Sequence, residues 1–448
     1  LTDQAAPGLP RAVRLAFAAA LAAYLGCAAW LVWRTAILEP YSDMYDWMGR
    51  WYRLQTGGDL GRYLWAPHNF HHLVWTFTVL DLDIRAFGAR SYLFVAVGAL
   101  CLAATAAMLA GVAGAAAGRG LRLVGAGVAA ALSAMGCHIL DVNADIETTY
   151  VHALVFAVAA ILLAQAPGGR PILRRGGALA CAVAAGLGSA AGLAVWPALL
   201  LGAWRSGRHG WMAVVLAAGA AFSGLYLLGQ GASPDAGLGA VGGRPAEAVA
   251  LAINYLALPW SRAVPAIGWP LGLAVLVVAL TAVALKGRRG APWPEGVAVP
   301  LILFSLMTAA MAGVARTGVI APDMVPMRFA VFLIPLHAGL WILAAPHLRR
   351  ALERRPRATA GAVAAAAALM LAHQGVMAIY AIRTADANLR VIADFRAGKR
   401  NPAMRAMIYP DLDGAWRVAA RMRRDGLYRH EWRADPSGSG ISASSPGP

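Results

Sequence analysis

Residues 12–33 read AVRLAFAAALAAYLGCAAWLVW, and residues 39–52, just beyond them, read EPYSDMYDWMGRWY. Arg14 is the only charge in the first stretch, whose length matches the ~20 apolar residues that carry a helix across a bilayer core. In the second, Glu39, Asp43 and Asp46 arrive together with Tyr41, Tyr45, Trp47, Trp51 and Tyr52. A helix therefore leaves a membrane straight into carboxylates and aromatic rings. Tyr and Trp are ordinary anchors at the headgroup level, but an acid gains nothing from an anionic lipid surface. The acids call for a chemical use.

The apolar pattern recurs along the chain. Of 448 residues, 59% are hydrophobic and 14% charged, against about 25% charged in a soluble domain. The apolar runs are continuous rather than alternating, which excludes a β-barrel. The fold class is all-α, a polytopic transmembrane helical bundle of about eleven spans. Single spans are expected at 12–33, 91–117, 121–139, 150–166, 211–229, 266–285, 297–315, 329–346 and 358–382. The stretch 176–203 differs, because basic clusters flank both of its ends, Arg174–Arg175 and Arg205–Arg208. Its centre, GLGSAAGLAVWP, is rich in Gly and holds Pro197, so it reads as a short broken helical hairpin turning near Gly188–Gly192. Two parts follow: a transmembrane module over 1–382 with a large outer loop at 34–90, and a small polar tail at 383–448. The outer loop is expected to pack as amphipathic helices on the membrane surface.

The net charge of +17 suggests nucleic acid at first sight. Its placement says otherwise, since Lys and Arg cluster between spans in the positive-inside manner. With the N-terminus in the cytoplasm, the inner segments hold 17 basic and three acidic residues, and the outer segments 22 and 19. The nets, +14 and +3, favour this orientation, with an extracytoplasmic C-terminus. Cys27, Cys101, Cys137 and Cys181 lie in or beside apolar runs without CxxC spacing and read as small buried residues.

Most carboxylates then face outward, and they carry the chemistry. Asp43 and Asp46 share one face if 42–56 is helical, with Trp47 alongside to hold a substrate. A carboxylate beside a partly apolar cavity can take a proton from a hydroxyl as general base, or join others around a divalent cation (Mg or Mn). The same loop holds APHNFHH, whose His68, His71 and His72 suit phosphate contact or support of a base. The next outward loop, DVNADIETT, adds Asp141, Asp145 and Glu147. Such close acids repel one another unless a cation joins them, and Asp43, Asp145 and Glu147 are the metal candidates. Arg316 and Arg328 stand at the mouths of two spans, where a guanidinium anchors a headgroup or clamps a phosphate ester.

In order and topology these stretches resemble the GT-C superfamily of polytopic membrane glycosyltransferases. An early acid follows the first span (EPYSDMYDW), and a second outer loop is acidic (DVNADIETT). A broken pair carries GLAVWP, and a later arginine opens a span (MRFAVFLIPL). HNFHH is similar to an HNEHR-like stretch in bacterial members of the superfamily, and the tail segment YPDLDGAWRVAARMRRDGLY to their YPD segment with its short helix. Phe70 and His72 stand where that pattern has Glu and Arg, so an acid and a phosphate clamp are missing there. The resemblance implies Asp43 as catalytic base with Asp46 second, and Asp141 or Asp145 as the partner from the second loop. It also implies a polyprenyl-phosphate-linked sugar as donor, lodged among membrane lipids, and a glycan, lipid or protein acceptor. The alternatives are a lipid or solute transporter and a non-catalytic scaffold of an envelope complex.

Overall fold

The computed structural model describes residues 8–143, 147–228, 238–262, 265–286, 293–399 and 402–427. Among them every regular element is helical. After α1 (Arg11–Thr35) come three helices of the first loop: α2 (Met44–Gln55), α3 (Leu60–Trp65) and α4 (Val74–Phe87). The bundle continues with α5 (Tyr92–Ala117), α6 (Arg122–Ser133), α7 (Gly136–Asn143), α8 (Thr148–Gln165), α9 (Pro171–Gly186), α10 (Val195–Arg205) and α11 (His209–Leu227). Then follow α12 (Leu238–Gly243), α13 (Pro245–Leu256), α14 (Gly268–Lys286), α15 (Glu295–Arg316), α16 (Ile334–Arg354) and α17 (Pro356–Arg396). Two short helices, α18 (Pro402–Met407) and α19 (Leu412–Arg424), end the described chain.

Eight of these helical segments are long and apolar enough to cross a membrane, and α6 with α7 passes the same test only as a bent pair. The chain is a multi-pass, all-α membrane protein. The arms of the expected hairpin, α9 and α10, have 16 and 11 residues. At 1.5 Å per residue they reach only about 24 and 17 Å, short of a ~30 Å core. They are arms of a hairpin all the same. Trp75 Nε1 donates to Ala184 O (2.8 Å) beside the turn, while Arg205, at the far end of α10, donates to Lys286 O (2.6 Å) and Gly296 O (3.3 Å). The turn depends on two glycines. A Cβ at Gly192 would sit 2.1 Å from Ala185 O, and one at Gly188 would sit 2.8 Å from Ala153 N.

The bundle has two unlike ends. At the loop end, Ile37 N–H donates to Asn143 O (2.9 Å) and Arg328 Nη1 lies 3.5 Å from Glu147 Oε1, so the first loop, the α7–α8 link and the α15–α16 link meet there. At the basic end, Arg349 packs beside Gly118, and Leu9, Leu121, Leu352 and Ala360 share one cluster.

The first loop folds as its sequence directs. Met44, Trp47, Met48 and Tyr52 repeat at helical spacing and are buried, while Asp46, Arg50 and Arg53 lie on other faces of α2. Their side chains join Tyr63, Phe77, Leu80, Ile84 and Phe94 in a second core beside the bundle. Burial of each large side chain from water stabilises by about 1.5–3 kcal/mol. Asp83 is fully buried, and its two oxygens accept from Ser91 N–H and Leu93 N–H (both 2.8 Å), capping α5.

The tail is built onto this loop. α17 runs for 41 residues, through position 383 without a break, about 60 Å of continuous helix. Ile392 and Phe395 on its extension pack with Ile37, Tyr41 and Tyr45, and with Met404, Ile408, Ala415 and Ala419 of α18–α19. Arg421 of α19 lies 3.9 Å over the Tyr52 ring.

Gly192→Ala is expected to lower stability by about 1–3 kcal/mol or more through overpacking at the hairpin turn. Gly361→Ala, where an added Cβ meets nothing within 4 Å, should be neutral or stabilising. Thermal unfolding of the purified variants in detergent checks both, and an unchanged Gly192→Ala midpoint would contradict the tight turn.

Candidate functional site

The loop that carries the histidines is pinned by two hydrogen bonds. His68 N–H donates to His71 O (2.8 Å), and His71 N–H to His68 O (3.0 Å), making an isolated antiparallel bridge. Opposed residues of such a pair put their side chains on one face, so His68 and His71 stand side by side. Asn69 between them takes φ +53°, and Ser42, just before Asp43, takes φ +56°. Non-glycine residues rarely adopt that region, and both border the site.

His68 joins the two acids of the opening stretch. Its Nε2 lies 2.7 Å from Asp43 Oδ2, and its Nδ1 3.5 Å from Asp46 Oδ2. Arg50, one turn beyond Asp46, donates through Nε to Asp46 Oδ2 (2.9 Å) and through its terminal nitrogens to Ala66 O and Pro67 O (3.3 Å). Asp46 is thus tied to Arg50, while Asp43 uses one oxygen on His68 and is half-buried. Burial opposes charge on His68, but its hydrogen bonds to Asp43 and Asp46 outweigh that and raise its pKa. Asp46 shows the mirror image: burial raises it, and the His68 bond and the Arg50 charge more than compensate, leaving it lowered.

His71 meets a different element. Ala190 N–H, from the hairpin turn, donates to its Nδ1 (3.1 Å), so the ring proton belongs on Nε2. Burial first, then the charges of Arg316, His68, Arg328 and His72, push this imidazole down to about 3. His71 is therefore a neutral group between the Asp43–His68 pair and two arginines. Those arginines share one ring: Arg316 lies 5.6 Å and Arg328 5.9 Å from the Phe329 centroid. They differ in their acids. Arg328 Nη1 is 3.5 Å from Glu147 Oε1, whereas among the described residues no carboxylate pairs with Arg316. Burial raises the Glu147 pKa, and the Arg328 charge works against it.

Two expected substrate contacts take structural posts instead. Trp47 is fully buried, edge-on to His68 (5.6 Å) and Phe77 (5.8 Å), so it is the wall behind His68 and not a platform for substrate. His72 is also buried. It stacks on Trp65 (4.4 Å), its Nδ1 meets Trp65 O, and its Nε2 lies 2.9 Å from Tyr226 O. It fastens the first loop to α11. Asp141 is fully buried, and among the described residues neither of its oxygens has a hydrogen-bond partner. Asp145 lies outside the described residues. Among the described residues no three His, Cys, Asp or Glu side chains are placed to hold a metal ion. The donor set explains why, since Asp43 is committed to His68 and Glu147 to Arg328.

Two hollows flank these groups. An open groove of about 460 Å³ runs past Asp46 and Arg50 to Arg53, Arg62 and Tyr63. A smaller hollow, about 130 Å³, lies beside Glu147 and Arg328 and is closed on its far side by Tyr380, Thr384 and Asn388 of α17. Those three residues went unread in the sequence. Their signal was the i, i+4, i+8 spacing of polar side chains past the apolar part of a long helix. Tyr409, from the tail, was missed as a site neighbour too. Burial and the charges of Asp46 and Asp43 raise its pKa, which places its ring close to both acids.

No protein-family model, characterised protein or solved structure matches this chain.

The His68 geometry predicts a pH dependence. A folded pKa above the usual ~6.5 gives stability that is fully present below pH ~6.5 and is lost as pH rises through the folded value. Asp46 acts oppositely, its share being present above pH ~3.9 and lost as pH falls through its lowered value. The unfolding midpoint of the native protein should therefore fall across the rising limb above pH ~6.5, and His68→Gln should flatten that limb. Thermal melts between about pH 5 and 9 make the comparison; parallel profiles for the two proteins would contradict it.

Proposed function

We propose that this protein is a GT-C-type membrane glycosyltransferase of the bacterial inner membrane, with its loop end facing outward. It would move a sugar from a polyprenyl-phosphate donor to an envelope acceptor, whether glycan, lipid or protein. One observation carries the reading: the Asp43–His68 pair and Arg316 both lie within electrostatic reach of His71, in a bundle of apolar helices long enough to cross a membrane. A proton acceptor and a cation that, among the described residues, has no carboxylate partner are the two groups that sugar transfer from a lipid phosphate needs.

In this mechanism the acceptor hydroxyl gives its proton to Asp43, on the oxygen that His68 leaves open. The acceptor oxygen attacks the anomeric carbon, and the bond from that carbon to the phosphate oxygen breaks. The leaving polyprenyl phosphate takes the electron pair, and Arg316 stabilises the charge it gains. His68 holds Asp43 in place, and Arg50 keeps Asp46 ionised and turned aside. Neutral His71 can donate from Nε2 to a phosphate oxygen without adding a charge. Eleven spans with the N-terminus in the cytoplasm would fit this arrangement, with α9 and α10 as the re-entrant pair.

Incubation of the purified protein with radiolabelled polyprenyl-phosphate sugars and envelope acceptors tests the reading. Asp43→Asn should reduce transfer by about 10²–10⁴-fold with the fold intact, and Arg316→Ala by about 10²–10³-fold. Full turnover by Asp43→Asn would move the base to Asp46. Full turnover with both acids changed would remove this loop from the chemistry.

A further inference from the structure

The 130 Å³ hollow beside α17 is lined by polar groups that the mechanism above does not use. Thr384 and Asn388 are half-buried, one helical turn apart, and face the hollow with Tyr380 one turn before them. Opposite stand Asn143, Glu147 and Arg328. Asn143 is 1% exposed, and its orientation is set by its neighbours: its Nδ2 donates to Thr35 Oγ1, whose own proton goes to Leu31 O (2.7 Å). Among the described residues, its Oδ1 is left as a buried acceptor with no partner, and Arg328 Nε as a buried donor with no partner. Orphaned polar atoms of this kind cost free energy unless something fills the space beside them.

We infer that this hollow is a subsite for one neutral sugar ring. Its charge decides the class. Glu147 and Arg328 pair with each other on one wall of it, 3.5 Å apart, so neither an anion nor a cation gains much there. A phosphate or carboxylate could accept from Arg328 but would leave Asn143 Oδ1 unmet and would face Glu147. A hydroxyl both donates and accepts, and a ring bearing several hydroxyls meets the Asn143 oxygen, the Glu147 carboxylate, the Thr384 hydroxyl, the Asn388 amide and the Arg328 guanidinium at once. At ~30 Å³ per water the hollow has room for on the order of four waters, so a pyranose would seat one edge in it and leave the rest of the ring in its open mouth. Met327 and Pro326 supply the apolar side that a sugar face needs. This inference rests on the transferase reading for its biological sense, but not for its chemistry.

The test is saturation-transfer NMR on the full chain in phosphatidylcholine nanodiscs. The probes are methyl glycosides of glucose, galactose, mannose, N-acetylglucosamine and arabinose, with methyl glucuronide and inorganic phosphate as charged comparators. At least one neutral glycoside should take up saturation, and the charged probes should not. Thr384→Val and Asn388→Ala, on one face of a long helix, should each weaken that binding by about fivefold, the worth of one hydrogen bond, with unchanged unfolding midpoints. Absence of uptake across the neutral panel, as water alone in the hollow would give, overturns the subsite. So does equal uptake by native protein and both variants. Sugar binding lost in the variants, in a protein that transfers no label, supports the subsite and removes the transferase reading. Label transfer with unchanged KM in both variants and no sugar binding removes the subsite and leaves the transferase reading standing.

Discussion

Glu39 and Arg396 meet at 2.9 Å between the exit of α1 and the last turn of α17, and the rest of the loop end is hung from that contact. About three turns lower on α17, Asp386 meets Arg34 at 3.0 Å. The Glu39–Arg396 pair is the more buried, where an ion that loses its partner is costly, whereas the more exposed Arg34–Asp386 pair contributes at most about 1 kcal/mol. Such pairs add little net stability, but they punish any other register. They therefore fix how the chain leaves the membrane along α17, and with it where Asp43 begins α2. Phe395, stacked on Trp416 at 4.2 Å and tilted against Tyr45 at 5.5 Å, closes the joint with apolar area.

Most acids at this end can be sorted by what holds them. Asp59 accepts from Arg62 N–H, Asp411 from Gly414 N–H, and Asp83 from two amides of α5, so these three cap helices. Asp81 takes Trp51 Nε1 (2.9 Å) and Arg85 (2.8 Å). Asp46 and Glu147 each answer an arginine. Asp43 stands apart because its nearest partner is a histidine, whose pKa the pairing raises and whose charge, unlike an arginine's, depends on pH.

The helices were legible because crossing a bilayer needs long apolar runs, which no other demand on the chain imitates. The hairpin at 176–203 could be read from basic residues at both ends, since a single crossing would strand one cluster on the wrong side. The end of the last span at 382 misled, as polarity rises there while the helix does not stop. Residues 383–396 contain no Gly or Pro, and the chain stays helical because its apolar face finds Tyr41 and Tyr45. Asp43 and His68 each stood out as unusual, but their pairing did not. It is made across 25 positions by a two-bond bridge whose turn residue, Asn69, has nothing distinctive about it. Trp47 misled for a related reason: a ring that seats a helix at a headgroup and a ring that backs a histidine have the same local sequence.

The continuity of α17 has a mechanical meaning. A stiff rod roughly 60 Å long turns a tilt of one degree at one end into a displacement of about 1 Å at the other. Spans tilt to match the thickness of the lipid around them. Tyr380, Thr384, Asn388 and Arg396 all ride on the far portion of this one rod, past its apolar length. The spacing between that row and the residues opposite, on α7 and the α15–α16 link, is thereby geared to the bilayer, and the lipid becomes a lever on the width of the hollow.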